Sequence, residues 1–182
     1  MARGERISVI GPSGSGKTTL GRLLEARHGL ERLELDSLQH QANWTPLDPE
    51  LFRSRVGEFI AKPRWVIDGN YTSVGALDLI WSRADTVLWL DLPRWHTTLR
   101  VARRSLTRAL TGEELWNGNR EELRNLVSTD REVNMVLWAA SNHAHVRQKY
   151  ERRIHDAKWS ALEVVRLRSL RQVRAWLDGA GS

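Results

Sequence analysis

The sequence predicts an α/β fold in which a five-stranded parallel sheet forms the middle of three layers. Three observations predict it. Five short apolar runs recur along the 182 residues, and segments with helical spacing separate them. That alternation implies βαβ crossovers, and so a parallel sheet with helices on both faces. A glycine-rich turn over residues 11–18 joins the first run to the first amphipathic segment. At roughly 150 residues per domain, the length predicts one domain over 1–182.

Residues 6–10 (RISVI) are β-branched and apolar and read as a buried first strand. Beyond the turn, Leu20, Leu23 and Leu24 recur at helical spacing up to Gly29. Residues 33–36 predict a second strand ending on Asp36. The polar stretch 37–48, with Trp44 and Pro46, predicts a loop. Asp48-Pro49 is a helix-start signal, with Asp as N-cap and Pro in the first turn. That helix carries Leu51, Val56, Phe59 and Ile60 and stops before Pro63. Residues 65–67 predict the third strand, ended by Asp68-Gly69-Asn70, with a short helix over 74–82. Residues 86–90 (TVLWL) predict the fourth strand, closed by Asp91-Leu92-Pro93, where Asp91 reads as a helix N-cap. A helix over 94–110, an irregular excursion over 111–120 and a long helical stretch over 121–157 follow. Residues 162–167 predict the fifth strand, and Ser169 caps a last helix ended by Gly179.

Residues 11–18 read Gly11-Pro12-Ser13-Gly14-Ser15-Gly16-Lys17-Thr18, with Thr19 next, and match G-x-x-x-x-G-K-[ST]. Glycines let the backbone curl around an anion and turn its N–H groups inward. The helix that starts at Lys17 adds the partial positive charge of its N-terminus. Lys17 has the length to reach the β- and γ-phosphates of a nucleoside triphosphate, and the Thr18 hydroxyl suits Mg²⁺. An apolar strand before the turn and an amphipathic helix after it supply the context this chemistry requires. Phosphate binding alone does not separate a kinase from other nucleotide hydrolases.

Several further runs resemble a known family. They are Trp44 with Pro46, the stretch Trp65-Val66-Ile67-Asp68-Gly69-Asn70-Tyr71, Ala84-Asp85-Thr86, Trp89-Leu90-Asp91-Leu92-Pro93-Arg94, and Arg100 with Arg104. Together with the glycine-rich turn they resemble the adenylate kinase-like branch of the P-loop kinases. Within it they are similar to the bacterial group labelled topology modulation protein. The resemblance covers most of residues 6–140, and Asp-Gly-Asn-Tyr is its most specific element. It implies a P-loop NTPase fold with strand order 2-3-1-4-5, a short helical lid near 105–131 and an acceptor-binding region near 37–62. It also implies ATP and Mg²⁺ as cofactors.

The resemblance assigns roles residue by residue. Gly11, Ser13, Gly14, Ser15, Gly16, Lys17, Thr18 and Thr19 would hold the nucleotide. Asp68 would hold Mg²⁺ through water, although an Asp-Gly pair also forms turns. Arg100 and Arg104, one helical turn apart, would grip the transferring phosphates; a solvated basic helix is the alternative. Arg120, and after it Arg124 and Arg131, occupy places comparable to lid arginines. Arg168, after the fifth strand, would contact the adenine base. On the acceptor side, Asp36 would orient or deprotonate a hydroxyl, or else cap a turn. Trp44 would stack on the acceptor, with Arg53, Arg55, Asn70 and Tyr71 beside it. Adenylate kinases follow Asp-Gly closely with Phe-Pro-Arg, whose arginine binds the AMP phosphate. Here Asn70-Tyr71-Thr72 follows, and the next arginine is Arg83. Neutral hydrogen bonds and a ring face suit a hydroxylated acceptor better than a phosphate dianion.

Charge and composition narrow the partners. The chain carries 28 Lys+Arg against 22 Asp+Glu, a net of +6, which favours anionic ligands. With no cysteine, disulfide frameworks, thiolate nucleophiles and cysteine-held zinc are excluded. The six histidines show no metal-ligand spacing. No apolar stretch approaches the roughly 20 residues that span a bilayer. Residues 1–5 lack a signal-peptide core, so the expectation is a soluble cytoplasmic protein. The basic stretch 147–174 is either a solvated helix face or a nucleic-acid surface. The expected activity is ATP-dependent phosphoryl transfer to a small molecule. A nucleoside or nucleotide monophosphate kinase and a non-catalytic, ATP-dependent DNA-binding regulator are the alternatives.

Overall fold

The computed structural model describes residues 4–121, 128 and 134–179. Its five strands are β1 (Arg6–Ile10), β2 (Glu31–Glu34), β3 (Trp65–Asp68), β4 (Thr86–Leu90) and β5 (Glu163–Leu167). They form one parallel sheet in the order β2-β3-β1-β4-β5. The expected strand order is therefore the observed one.

Side-chain alternation along the strands separates two cores. In β3, Trp65 and Ile67 face one way and Val66 the other; in β4, Val87 and Trp89 oppose Leu88 and Leu90. One face meets Phe52, Val56 and Ile60 of α3 (Pro49–Ile60), Leu77, Ile80 and Trp81 of α4 (Ala76–Trp81), and Tyr150 of α6 (Met135–Ile154). The other meets Leu20 and Leu24 of α1 (Lys17–His28) and Leu177 of α7 (Leu170–Gly179). Buried Trp81 donates its indole N–H to Ser8 Oγ at 3.2 Å, so a polar atom inside the first core is satisfied.

Helix boundaries follow local chemistry. Asp48 Oδ1 accepts from the N–H groups of Glu50 and Leu51, and Pro49 takes the first position, as the sequence predicts. Asn134 caps α6 in the same way through Val136 and Leu137. Ser169 Oγ accepts from Gln172 N–H at the start of α7. The expected helix over 121–157 is described only as α6, and the lid stretch 105–131 only up to 121 and at 128, so Arg124 and Arg131 lie outside the described residues.

Two expectations need correction. The second strand ends at Glu34, not Asp36, which lies in the first turn of α2 (Leu35–Gln39). The cause is Leu35: it is fully buried, and its Cβ lies 2.7 Å from where a Cβ on Gly69 would sit, so the chain turns inward at once. Asp91 is not an N-cap. Pro93 takes that position on α5 (Arg94–Thr111), and none of the described side chains caps the helix. Asp91 instead accepts from Arg166 Nε at 2.9 Å and pairs with Arg147 at 3.4 Å.

The glycine-rich turn is wedged between the end of β4 and α5. A Cβ on Gly11 would lie 2.6 Å from the Leu90 carbonyl, and one on Gly14 would lie 2.4 Å from the Thr97 carbonyl. Gly14 also holds φ at +76°, which side chains rarely adopt. Gly14→Ala is therefore expected to cost about 2–4 kcal/mol of unfolding free energy. Urea denaturation measures this, and an unchanged midpoint would mean that α5 does not bear on the turn.

Candidate active site

The carboxyl ends of β1, β2 and β3 converge on one polar cluster. Gly11–Gly16 curls from β1 into α1, with Gly11, Gly14 and Gly16 all at positive φ. The Lys17 ammonium donates to the carbonyls of Gly11 and Pro12 at 3.0 and 3.1 Å, and so stays folded across the turn. Burial pushes its pKa down, against the pull of Asp36 and Asp68. Ser15 is buried, and its hydroxyl oxygen has no partner among the described residues, which leaves an unsatisfied polar atom inside the loop.

Beside the loop, Thr18 Oγ1 lies 3.1 Å from Asp68 Oδ1 and 3.2 Å from Glu34 Oε1. The two carboxylates end adjacent strands in register, and both are buried. Arg32 closes the group from behind. Its Nη1 donates to Asp68 Oδ2 at 3.1 Å and to Glu34 Oε2 at 3.2 Å. Each carboxylate therefore gives one oxygen to Arg32 and turns the other toward Thr18. Burial, and then the Glu34 charge, raise the Asp68 pKa to about 6. A hydroxyl and two inward carboxylate oxygens form an all-oxygen set of the kind Mg²⁺ takes, directly or through water.

Helix α5 supplies cations from the other side. The Arg100 guanidinium nitrogens lie 3.3 Å from where a Gly16 Cβ would sit, directly over the turn. One turn later, Arg104 is half-buried, and its Nε has no partner among the described residues. Burial and then Arg108 hold its pKa below the usual guanidinium range, and it feels the Asp36 carboxylate. Arg103 points outward and is exposed.

On the acceptor side, Asp36 Oδ1 accepts from the Tyr71 hydroxyl at 2.7 Å, and Tyr71 packs its ring on Phe52 at 5.2 Å. Burial, then Asp36, push the Tyr71 pKa far upward, so this hydroxyl keeps its proton. Asn70 faces the glycine turn: its carboxamide donates to the Gly11 carbonyl at 2.7 Å and accepts from Gly11 N–H at 3.3 Å. Trp44 is 40% exposed and meets His40 edge-on at 5.4 Å.

The structure brings Lys17, Thr18, Asp68, Arg100, Arg104, Asp36, Asn70 and Tyr71 around the loop. It places others elsewhere. Arg120 is 62% exposed and pairs with Glu114 at 3.6 Å. Arg53 and Arg55 are exposed on α3, and Arg168 is exposed at the start of the last turn. The bases of 147–174 are partly spent inside the chain: Arg147 and Arg166 on Asp91, Arg153 and Lys158 on Asp78. Sequence reasoning missed Glu34 and Arg32. The available signal was the charge alternation Glu31-Arg32-Leu33-Glu34 in a strand next to the loop.

No protein-family model matches the chain, and no curated protein matches it. Solved structures do. A shikimate kinase from Acinetobacter baumannii in complex with shikimate is 18% identical, with 98% of this chain and 91% of that one covered and a TM-score of 0.57. A gluconokinase from Sinorhizobium meliloti 1021 is 16% identical, with 98% and 94% covered and a TM-score of 0.54. The likeness shows a three-layer α/β P-loop fold. In this P-loop fold the polar cluster stands at the carboxyl ends of the strands, where such sheets hold their ligands. No helix among the described residues is long and apolar enough to cross a membrane.

The charge arrangement has a measurable consequence. The raised Asp68 pKa means that the folded chain binds this proton more tightly than the unfolded chain between about pH 4 and pH 6. Ionised Asp68 therefore destabilises the ligand-free protein as pH rises through that window, by at most about 3 kcal/mol. Asp68→Asn is expected to raise the melting temperature at pH 7 and to flatten its slope between pH 4 and 6. Calorimetry across that range checks both, and a lowered melting temperature at pH 7 would contradict this account of the cluster.

Proposed function

We propose that this protein is an ATP-dependent kinase that phosphorylates a hydroxyl of a small molecule. The observation that carries the reading is the convergence of Lys17, Arg100 and Arg104 over a glycine loop whose far side holds Thr18, Asp68 and Glu34. Cations above and a divalent-cation set beside one loop suit a transferring phosphoryl group. The similarity in fold to a shikimate kinase and a gluconokinase supports the same class. The Asp-Gly-Asn-Tyr run supports placement near the topology modulation group of the adenylate kinase-like branch.

In this reading the loop N–H groups and Lys17 bind the β- and γ-phosphates. Thr18, Asp68 and Glu34 would hold Mg²⁺, which would supply positive charge against the phosphates. Arg100 and Arg104 stabilise the charge that spreads over the equatorial oxygens as the phosphoryl group moves. Asp36 accepts the hydrogen bond of the acceptor hydroxyl, and Tyr71 fixes that carboxylate from behind. Asn70 keeps Gly11 and the loop in register with β3. A phosphorylated acceptor would need an arginine clamp. Arg53, Arg55 and Arg83 are all exposed, which favours a hydroxyl acceptor over a nucleoside monophosphate.

Screening nucleosides, nucleotides, sugars and hydroxy acids with ATP·Mg²⁺, and following ADP release, identifies the acceptor. Lys17→Ala is expected to lower phosphoryl transfer by at least about a hundredfold while circular dichroism stays unchanged. Near-normal turnover in that variant would remove Lys17 from the catalytic machinery.

A further inference from the structure

The acceptor loop and the excursion after α5 are sewn together across 75 residues of sequence. The carboxamide of Asn119, 4% exposed, accepts from Trp44 N–H at 2.8 Å and donates to the carbonyls of Gln41 and Trp116, each at 2.8 Å. One side chain thus satisfies backbone groups in both segments. Asn117 adds a second stitch, donating to the His40 carbonyl at 2.6 Å. The His40 ring stacks on Trp116 at 5.7 Å.

Backbone strain is concentrated at the same joint. Among the described residues, the non-glycine residues at positive φ are Asn43, Trp44 and Asn117, at 57°, 57° and 58°. Asparagine tolerates this conformation; tryptophan does so at a cost of roughly 1–2 kcal/mol. Such a residue keeps that backbone only where its surroundings over-determine it. For Trp44 the fixing contact is the Asn119 oxygen on its N–H. Each segment is also closed on itself, by the bridges His40 to Pro46 and Glu114 to Arg120. They meet as two small preformed loops.

The joint is tied in turn to the cations over the phosphate turn. Arg108, one helical turn beyond Arg104, pairs with Glu121 at 3.0 Å and with Glu113 at 3.7 Å, holding both stems of the excursion. At the other end, Tyr71 Oη lies 3.5 Å from His40 Nε2 and donates to Asp36.

We propose that Asn119 is a positioning residue for the acceptor side: it yokes loop 37–46 to excursion 112–120, so that nucleotide on the phosphate turn orders both together. The nucleotide half of this rests on the kinase reading above; the yoke itself does not. Trp44 then presents its indole because the excursion holds it, and the two loops open as one roof.

Hydrogen exchange read by mass spectrometry tests this without knowledge of the acceptor. In the nucleotide-free protein, Asn119→Ala is expected to speed exchange about tenfold in segments 40–47 and 113–120 together. Amides of β1 and β4 keep their protection and report an intact fold. Loss in one segment only, or in neither, overturns the yoke. With a non-hydrolysable ATP analogue and Mg²⁺, the wild-type chain gains protection in the phosphate turn and in 40–47. Asn119→Ala gains it in the phosphate turn alone. Equal protection of 40–47 in both proteins overturns the coupling. If the analogue protects nothing in either protein, the kinase reading fails, while the nucleotide-free comparison still decides the yoke. Asn119→Asp, which keeps the oxygen for Trp44 N–H and loses both donors, is expected to fall between the two proteins. Exchange in that variant as fast as in the alanine would deny the Trp44 contact its role.

Discussion

The space around Gly11–Gly16 governs most of this molecule. The Leu90 carbonyl at the end of β4 leaves no room for a side chain at Gly11, and Thr97 and Val101 of α5 leave none at Gly14. That contact presses the turn closed and brings α5 over it. With α5 in place, Arg100 comes over Gly16 and Arg104 follows one turn on. Had the turn carried a bulkier residue, the helix would stand off, and both arginines would move into water. Dense interior packing leaves few alternatives between those two states.

Electrostatics then set a tension within the cluster. Glu34 and Asp68 are buried next to one another, and Arg32 reaches only one oxygen of each. Buried like charges are unfavourable unless something of opposite sign shares the site. Lys17 supplies part of that, but its own burial works against its charge. The cluster is thus better suited to a divalent cation than to being alone. Arg100 and Arg104 lie one helical turn apart on α5, and the charge of Arg100 works against that of Arg104. Cations and carboxylates thus meet around one glycine turn.

The acceptor side is built on a different principle. It has few charges and many rings: Phe52, Tyr71, His40, Trp44 and Trp116 form a chain of aromatic contacts that leads from the core to the surface. Asp36 is the carboxylate at its inner end, held by the Tyr71 hydroxyl. The walls come from two segments that would be independent in sequence, and their shared hydrogen bonds make them one surface.

Much of this was legible in the residues. The run RISVI, the glycine turn and the Lys-Thr pair announce a phosphate site because strand, turn and helix there are local and contiguous. The β-branched runs and their alternation announce the sheet for the same reason. Asp68 was legible as a strand-end carboxylate, and Arg100 with Arg104 as one helical face. Glu34, Arg32 and Asn119 were not. Glu34 became a site residue only when Leu35 turned inward under Gly69 and ended β2 early, which is a packing decision. Arg32 acts across a neighbouring strand, and Asn119 across 75 residues of sequence. Sequence by itself determined where the glycine turn lies and the order of elements around it, since those depend on short-range propensity and pattern. Only the tertiary structure decided which carboxylates pair and which loops join, because such choices depend on distances between segments that no local pattern encodes.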